Sequence, residues 1–394
     1  MTSKRGRLAF VTPRYGDGVV GGSELVMAEA ARGLAARGFD VEVLTTCARD
    51  HYTWANDFPA GVESDRGLTI RRFPTEKGRR RQSAGGLLRR PAGPPVGVEA
   101  ELAWVDASFS VPDLYDWLRR HGAGLDLIVF SPYLFWTTIH GASVLPEKSV
   151  VMPCLHDERD AYMSIVSTML SDVAGVWFLS EPEHQLGHKI ANLPPHHPVV
   201  GAAVDVPDRH DADGFRERHG LRRPFVLYAG RREDGKGWRT LVTWYGAALM
   251  RYGLDVDLVT VGVGEPFVPS EIEGRVVDLG YLDPDELPHA FAAASAYVQP
   301  SRNESFSRTV MESWLAGTPV IATSEGSVVA WHCERSGGGL TYGSVHELAE
   351  CLRLVAESPD SLEQLAKHGR EYVLANYTWP VVLDQMERSV EALT

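Results

Sequence analysis

Two carboxylates frame the segment of this chain best equipped for chemistry: Glu304 and Glu312 in Pro300-Ser-Arg-Asn-Glu304-Ser-Phe-Ser-Arg-Thr-Val-Met-Glu312. Glu304 falls in a loop after an apolar run, and Glu312 lies inside the helix expected to follow. Between them are the free N–H groups of that helix's first turn. Such a terminus carries about half a positive charge together with unpaired donors, so the backbone at Ser305, Phe306, Ser307 and Arg308 is suited to cradle a phosphate. A carboxylate accepts hydrogen bonds from sugar hydroxyls and is repelled by phosphate. The layout therefore fits a diphosphate with a sugar on each side, which is the shape of a nucleotide sugar. The local sequence is equally compatible with Glu304 acting as a helix cap and Glu312 lying at the surface.

A second station, Tyr228-Ala-Gly230-Arg231-Arg-Glu-Asp-Gly-Lys236-Gly237, leaves another apolar run and combines cations with glycines. Arg231 can make a forked contact to phosphate oxygens, and Lys236 offers a compact charge to a departing diphosphate. A solvated turn with Arg232 and Lys236 in water is the competing reading. A third station is the loop Gly18-Val-Val-Gly21-Gly22-Ser-Glu24, where the backbone at Gly21 and Gly22 can come close to a ligand. The fourth is Met152-Pro-Cys-Leu-His156-Asp157-Glu158, which offers His156 as a donor to a sugar hydroxyl or as an ordinary structural histidine. His184 and His188 share a helical face but lack the H-E-x-x-H order of zinc proteases, and they read as surface residues. No metal ligand is called for.

The elements that must position these stations alternate between strand and helix. Apolar runs at 8–12, 41–45, 125–130, 149–152 and 175–179 read as strands, with a helix over 24–37 closed by Gly38. The pattern restarts near residue 206 with strands at 225–229, 258–262, 296–299 and 320–323 and helices over 238–252, 307–316 and 346–357. This is an α/β chain with two doubly wound parallel sheets, and ligands should meet the loops beyond the carboxyl ends of their strands. Residues 76–97, rich in Arg, Gly and Pro, read as a loop with either a solvated or an acceptor-binding role.

Bulk properties exclude other classes. A 394-residue chain exceeds what one core usually serves. Its net charge of −13 argues against a nucleic-acid partner, which needs a basic surface. Cys47, Cys154, Cys333 and Cys351 are widely spaced and suit reduced thiols. No run approaches the roughly 20 apolar residues of a membrane span, so the expectation is a cytoplasmic protein with at most peripheral membrane contact.

Together the four stations resemble the GT-B glycosyltransferases, specifically the retaining group called family 4, across nearly the whole chain. Gly21 to Glu24 is similar to that family's G-G-x-E loop, His156-Asp157 to its H-D pair, Arg231 and Lys236-Gly237 to its G-R…K-G loop, and Glu304 with Glu312 to its E-x7-E signature. The chain departs from it in Glu304-Ser-Phe-Ser307, where Glu-Gly-Phe-Gly is common, and in Arg308, which replaces a commonly apolar residue.

The resemblance implies two Rossmann-like domains with an interdomain cleft: an acceptor domain over 1–205, a donor domain over 206–376, and a C-terminal helix over 377–394 returning to the first. It implies metal-independent transfer of a sugar, with retention, from a nucleotide diphosphate sugar to a hydroxyl acceptor, the acceptor being a glycan, a lipid-linked glycan or a small molecule. Glu312 is assigned to the ribose, Glu304 to the donor sugar, Arg231 and Lys236 to the diphosphate, and His156 to the sugar. Tyr281 and Leu282, after Gly280, are assigned to the nucleobase, while Gly21, Gly22 and Gly230 approach the ligand. A sugar phosphorylase, an epimerase and a non-catalytic nucleotide-sugar-binding protein keep the same fold and remain alternatives.

Overall fold

The computed structural model describes residues 5–19, 21–77, 97–207, 209–358 and 360–394. Two compact units divide at Gly201/Ala202 and again at Val381/Val382, so the last residues, 382–394, belong with the first unit. The sequence reading places these boundaries at 205/206 and 376/377.

The first unit contains a seven-stranded sheet in the order β3-β4-β2-β1-β7-β8-β9. Its strands are β1 (Arg7–Val11), β2 (Asp40–Thr46), β3 (Gly61–Asp65), β4 (Leu68–Phe73), β7 (Leu127–Phe130), β8 (Ser149–Val151) and β9 (Gly175–Val176). All neighbours pair in parallel except β3 with β4. In the central strands, Leu8–Val11 of β1, all of β7 and Val150–Val151 of β8 are buried apolar runs because helices cover both faces of a parallel sheet. Between β4 and β7, the short pair β5 (Glu76–Lys77) and β6 (Phe109–Ser110) forms a separate ribbon. Glu76 and Lys77 are therefore strand residues, while 78–96, the rest of the expected Arg-rich loop apart from Gly97, lie outside the described residues.

The second unit holds a six-stranded parallel sheet in the order β12-β11-β10-β13-β14-β15. These are β10 (Phe225–Ala229), β11 (Asp257–Val261), β12 (Val276–Asp278), β13 (Ala296–Gln299), β14 (Val320–Thr323) and β15 (Gly339–Tyr342). Strand order reverses between β10 and β13, as it does between β1 and β7 in the first unit. At such a switch point the two following loops run to opposite sides and leave room for a ligand.

The helix Trp379–Leu393 starts in the second unit and continues into the first. There Arg37 Nη1 pairs with Asp384 and Glu387 at 2.7 Å each, and Trp177 Nε1 donates to Ser389 Oγ at 2.5 Å. Among the described residues no helix is long and apolar enough to cross a membrane. All four cysteines are buried thiols.

Candidate active site

The second unit's switch point brings together the loops after β10 and β13. The first loop carries Lys236 and the second Glu304, and Lys236 Nζ donates to Glu304 Oε1 at 2.7 Å. Glycine 237 makes this approach possible. It sits in the left-handed region (φ 75°), where a Cβ would stand 2.4 Å from the Pro300 carbonyl oxygen. Gly237→Ala is accordingly expected to destabilise the protein by about 2 kcal/mol or more, from left-handed backbone cost plus displacement of the Pro300 loop, as read by thermal melts against the parent.

Arg231 remains available at the mouth of the same loop, half-exposed and 3.3 Å from Glu233. Its carbonyl accepts from the Tyr228 hydroxyl at 2.6 Å, which ties the loop back to β10. Gly230 N donates to Val261 O at 3.0 Å, holding the start of the loop to β11. Arg232 has a different task. It is buried, donating to Thr260 Oγ1 at 3.2 Å and to the carbonyls of Gly262 and Gly264 at 2.9 Å, and it pairs with Asp278. The alternative that placed Arg232 in water is corrected: this residue welds the loops after β10, β11 and β12. Asp278 in turn accepts from Gly280 N at 2.8 Å, and Gly280 O accepts from Gly262 N at 2.7 Å. Beyond this turn Tyr281 is exposed and Leu282 half-buried.

The helix Arg308–Leu315 begins at Ser307, which takes a left-handed conformation (φ 70°) and supplies no side-chain cap. Its hydroxyl is engaged elsewhere, accepting from Gln299 Nε2 at 2.8 Å. Phe306 is buried, with its ring edge-on to His332 and Tyr377 at 5.4 and 4.9 Å. Its contribution at a ligand is confined to its backbone. Ser305, half-buried, bridges Glu304 and this anchor. Arg308 is engaged within its own unit: Nη1 donates to Ala203 O at 2.8 Å, and Nε lies 3.8 Å from Glu312 Oε1. Glu312, one turn further in, keeps 30% of its side chain exposed. Burial raises its carboxyl above the ordinary value, Arg308 opposes that, and Asp205 adds to it. Asp205 is itself held by Trp379 Nε1 at 2.7 Å.

In the first unit, His156 follows β8 and lies with Nδ1 3.6 Å from Glu158 Oε1, which also accepts from the Tyr133 hydroxyl at 2.8 Å. His156 and, more weakly, Tyr133 hold the Glu158 carboxyl below its usual range against the opposing effect of burial. Beneath this loop Glu183 is buried, accepting from Leu155 N and Leu179 N at 2.6 Å each. Burial pushes its carboxyl up to about 8 despite these donors.

Gly21 and Gly22 open the helix Gly22–Ala36 beyond β1. The space beside Gly21 is filled from within. A Cβ there would meet Glu24 Oε2 at 2.2 Å, while Gly22 faces open space. Glu24 is buried against Arg14, with Nη2 to Oε1 at 2.5 Å.

The structure therefore joins Lys236, Glu304 and the Ser307 helix terminus in one unit, with Arg231 on the same loop as Lys236 and Glu312 on that helix. It places Gly21, Gly22 and His156 in the other unit. Against this geometry, residues 223–358 match the model of the family described as Glycosyl transferases group 1, a span that contains both loops and both glutamates. A D-inositol 3-phosphate glycosyltransferase of Catenulispora acidiphila is 26% identical over 98% of this chain and 96% of its own. Over residues 223–358 the chain is similar to the group 1 glycosyltransferases, and over nearly its whole length to this relative. The 2-deoxystreptamine glucosyltransferase of Streptomyces kanamyceticus is 31% identical, over 44% of this chain and 49% of that protein. Anabaena HepE, solved in complex with UDP and glucose, shares the fold with a TM-score of 0.70 at 17% identity, over 98% of this chain and 100% of HepE.

Several residues that shape these four stations escape a reading by sequence windows. Glu183, Asp278 and Asp205 act on partners far from them in sequence, while Gln299 and Arg14 reach the nearer Ser307 and Glu24 with no local pattern that pairs them. Glu24 did stand in a noted motif, but its partner Arg14 could be found only through the fold.

Proposed function

We propose that the protein transfers a hexosyl group, with retention and without a metal ion, from a nucleotide diphosphate sugar held by the second unit to a hydroxyl acceptor. The observation that carries this is the pairing of Lys236 with Glu304 beside a helix terminus with no side-chain cap, at the point where strand order reverses. In this reading Arg231, Lys236 and the backbone of Ser305–Arg308 take the diphosphate, Glu312 the ribose hydroxyls, Glu304 the transferred sugar, and Tyr281 and Leu282 the base. In the first unit His156, aligned by Glu158, offers a hydrogen-bond donor, and the open space beside Gly22 leaves room for a ligand at the backbone. Arg308 acts indirectly by orienting Glu312.

The bond from the anomeric carbon to the leaving phosphate oxygen breaks with its electron pair passing to the diphosphate. The acceptor hydroxyl bonds to that carbon on the same face, and its proton goes to the leaving oxygen. Fixed positive groups aimed at the leaving oxygens stabilise charge as it develops and need no reorganisation during the step. The complex of HepE with UDP and glucose makes a uridine donor the first to try.

The test needs no acceptor, because water substitutes slowly for it. UDP-, GDP-, dTDP- and ADP-glucose are incubated with the protein without added metal, and the first-formed hexose anomer is read by proton NMR. Slow release of one diphosphate with the α-anomer appearing first, unchanged by Mg²⁺, is the expected result. The β-anomer first, or release only with Mg²⁺, contradicts the proposal, and turnover only with inorganic phosphate would assign a phosphorylase.

A further inference from the structure

The helix Glu181–Ile190 carries His184 and His188 one turn apart on the same face. The chain then returns past β9, where Val176 N donates to His196 O and Phe178 N to Pro198 O, each at 3.0 Å. This docking delivers His197 onto the two helical histidines. Ring centroids lie 4.7 Å apart for His184 and His188, 5.1 Å for His184 and His197, and 5.0 Å for His188 and His197. One ring nitrogen from each lies within 4.8 Å of the other two. His184 and His188, expected on one helical face as surface residues, are thus members of a cluster with His197.

We propose that His184, His188 and His197 form a binding site for one Zn²⁺ ion that staples the helix Glu181–Ile190 to the segment preceding Val199. Three imidazoles are a borderline-soft nitrogen set matching zinc, and the half-exposed position leaves the fourth coordination site to water. In a tetrahedral site with Zn–N bonds of 2.0–2.1 Å the nitrogens stand about 3.3 Å apart. His184 Nε2 and His197 Nδ1 are at 2.9 Å, so they separate by a few tenths of an ångström while the exposed His188 swings in. Glu181 Oε1 lies 3.6 Å from His184 Nδ1, where an outer carboxylate favours a proton on Nδ1 and leaves the Nε2 lone pair for the ion. The ion has no part in sugar transfer. Its effect is on stability and on Glu183, which neighbours His184 and anchors the loop bearing His156 through Leu155 N.

The test titrates the chelator-treated full-length protein with Zn²⁺ alone. One equivalent is expected to bind, raising Tm by about 5–10 °C at 100 times the Kd, and Co²⁺ in its place should give the visible absorption of a four-coordinate site. His188→Gln and His197→Gln should each weaken binding at least tenfold, with the metal-free Tm within about 2 °C of the parent; His140→Gln should bind as the parent does. No saturable binding at micromolar Zn²⁺, or equal affinity in His188→Gln and His197→Gln, overturns the proposal. Because His188 is exposed, its variant reports on the site even if His197→Gln folds poorly.

Discussion

Lys236→Ala is expected to lower kcat by about 10²- to 10³-fold while leaving Tm nearly unchanged, because a preorganised donor facing the leaving group acts mainly in the transition state. The ammonium is part-exposed at the loop surface and pairs with Glu304, and pairs of that kind contribute little to folding. Its effect on rate differs because charge accumulates on the diphosphate only as the anomeric bond breaks. KM should therefore change much less than kcat. Lys236→Arg should recover part of the rate, since the charge survives but a planar fork replaces a compact head that fits against Glu304. Steady-state kinetics on the preferred donor decides this, and a kcat within threefold of the parent would remove Lys236 from the mechanism.

The largest effect on stability is expected at Arg14. Its side chain and that of Glu24 are only 7% and 6% exposed. Arg14→Met leaves the Glu24 carboxylate buried without its main countercharge, and loss of one partner of such a pair typically costs about 3–5 kcal/mol. The double variant Arg14→Met/Glu24→Leu should be less damaged than the single one, because the charge disappears with its partner. Urea melts of both single variants and the double variant read the coupling directly. Additive losses would show that the two side chains stabilise the Gly21 loop independently. The pair also explains the glycine: Glu24 can fold back under the helix start only where residue 21 has no Cβ.

The strands legible in sequence are those buried on both faces. Leu8–Val11, Phe225–Ala229 and Val320–Thr323 are short apolar runs whose burial is enforced by helices above and below. The edge strands β3 and β12 lack that signature, since Gly61–Asp65 is largely exposed and Val276–Asp278 is only three residues long. In β4 the signal is masked by Arg71 and Arg72. Arg72 is buried nonetheless, donating to Tyr15 O at 2.9 Å and to Glu63 at 2.8 Å and lying over the Phe58 ring.

The site shows the same division. Glu304, Glu312 and Lys236 were legible because their charges stand in short windows beside glycines and a helix start. The supports were not. Arg232 reads like Arg231 until β12 brings Asp278 beneath it, and Glu183 reads like any exposed helix-start glutamate until the loop after β8 turns its N–H groups inward. His184 and His188 form a pair in sequence, but only the return of the chain beside β9 adds His197.

The most direct test of the donor site is calorimetric titration with UDP, GDP, dTDP and ADP without added metal, on the parent, Glu312→Ala and Lys236→Ala. The account predicts that one diphosphate binds the parent preferentially and that both variants bind it at least tenfold more weakly, through loss of the ribose and diphosphate contacts respectively. Absence of binding to all four, or affinities in the two variants equal to the parent's, would contradict it.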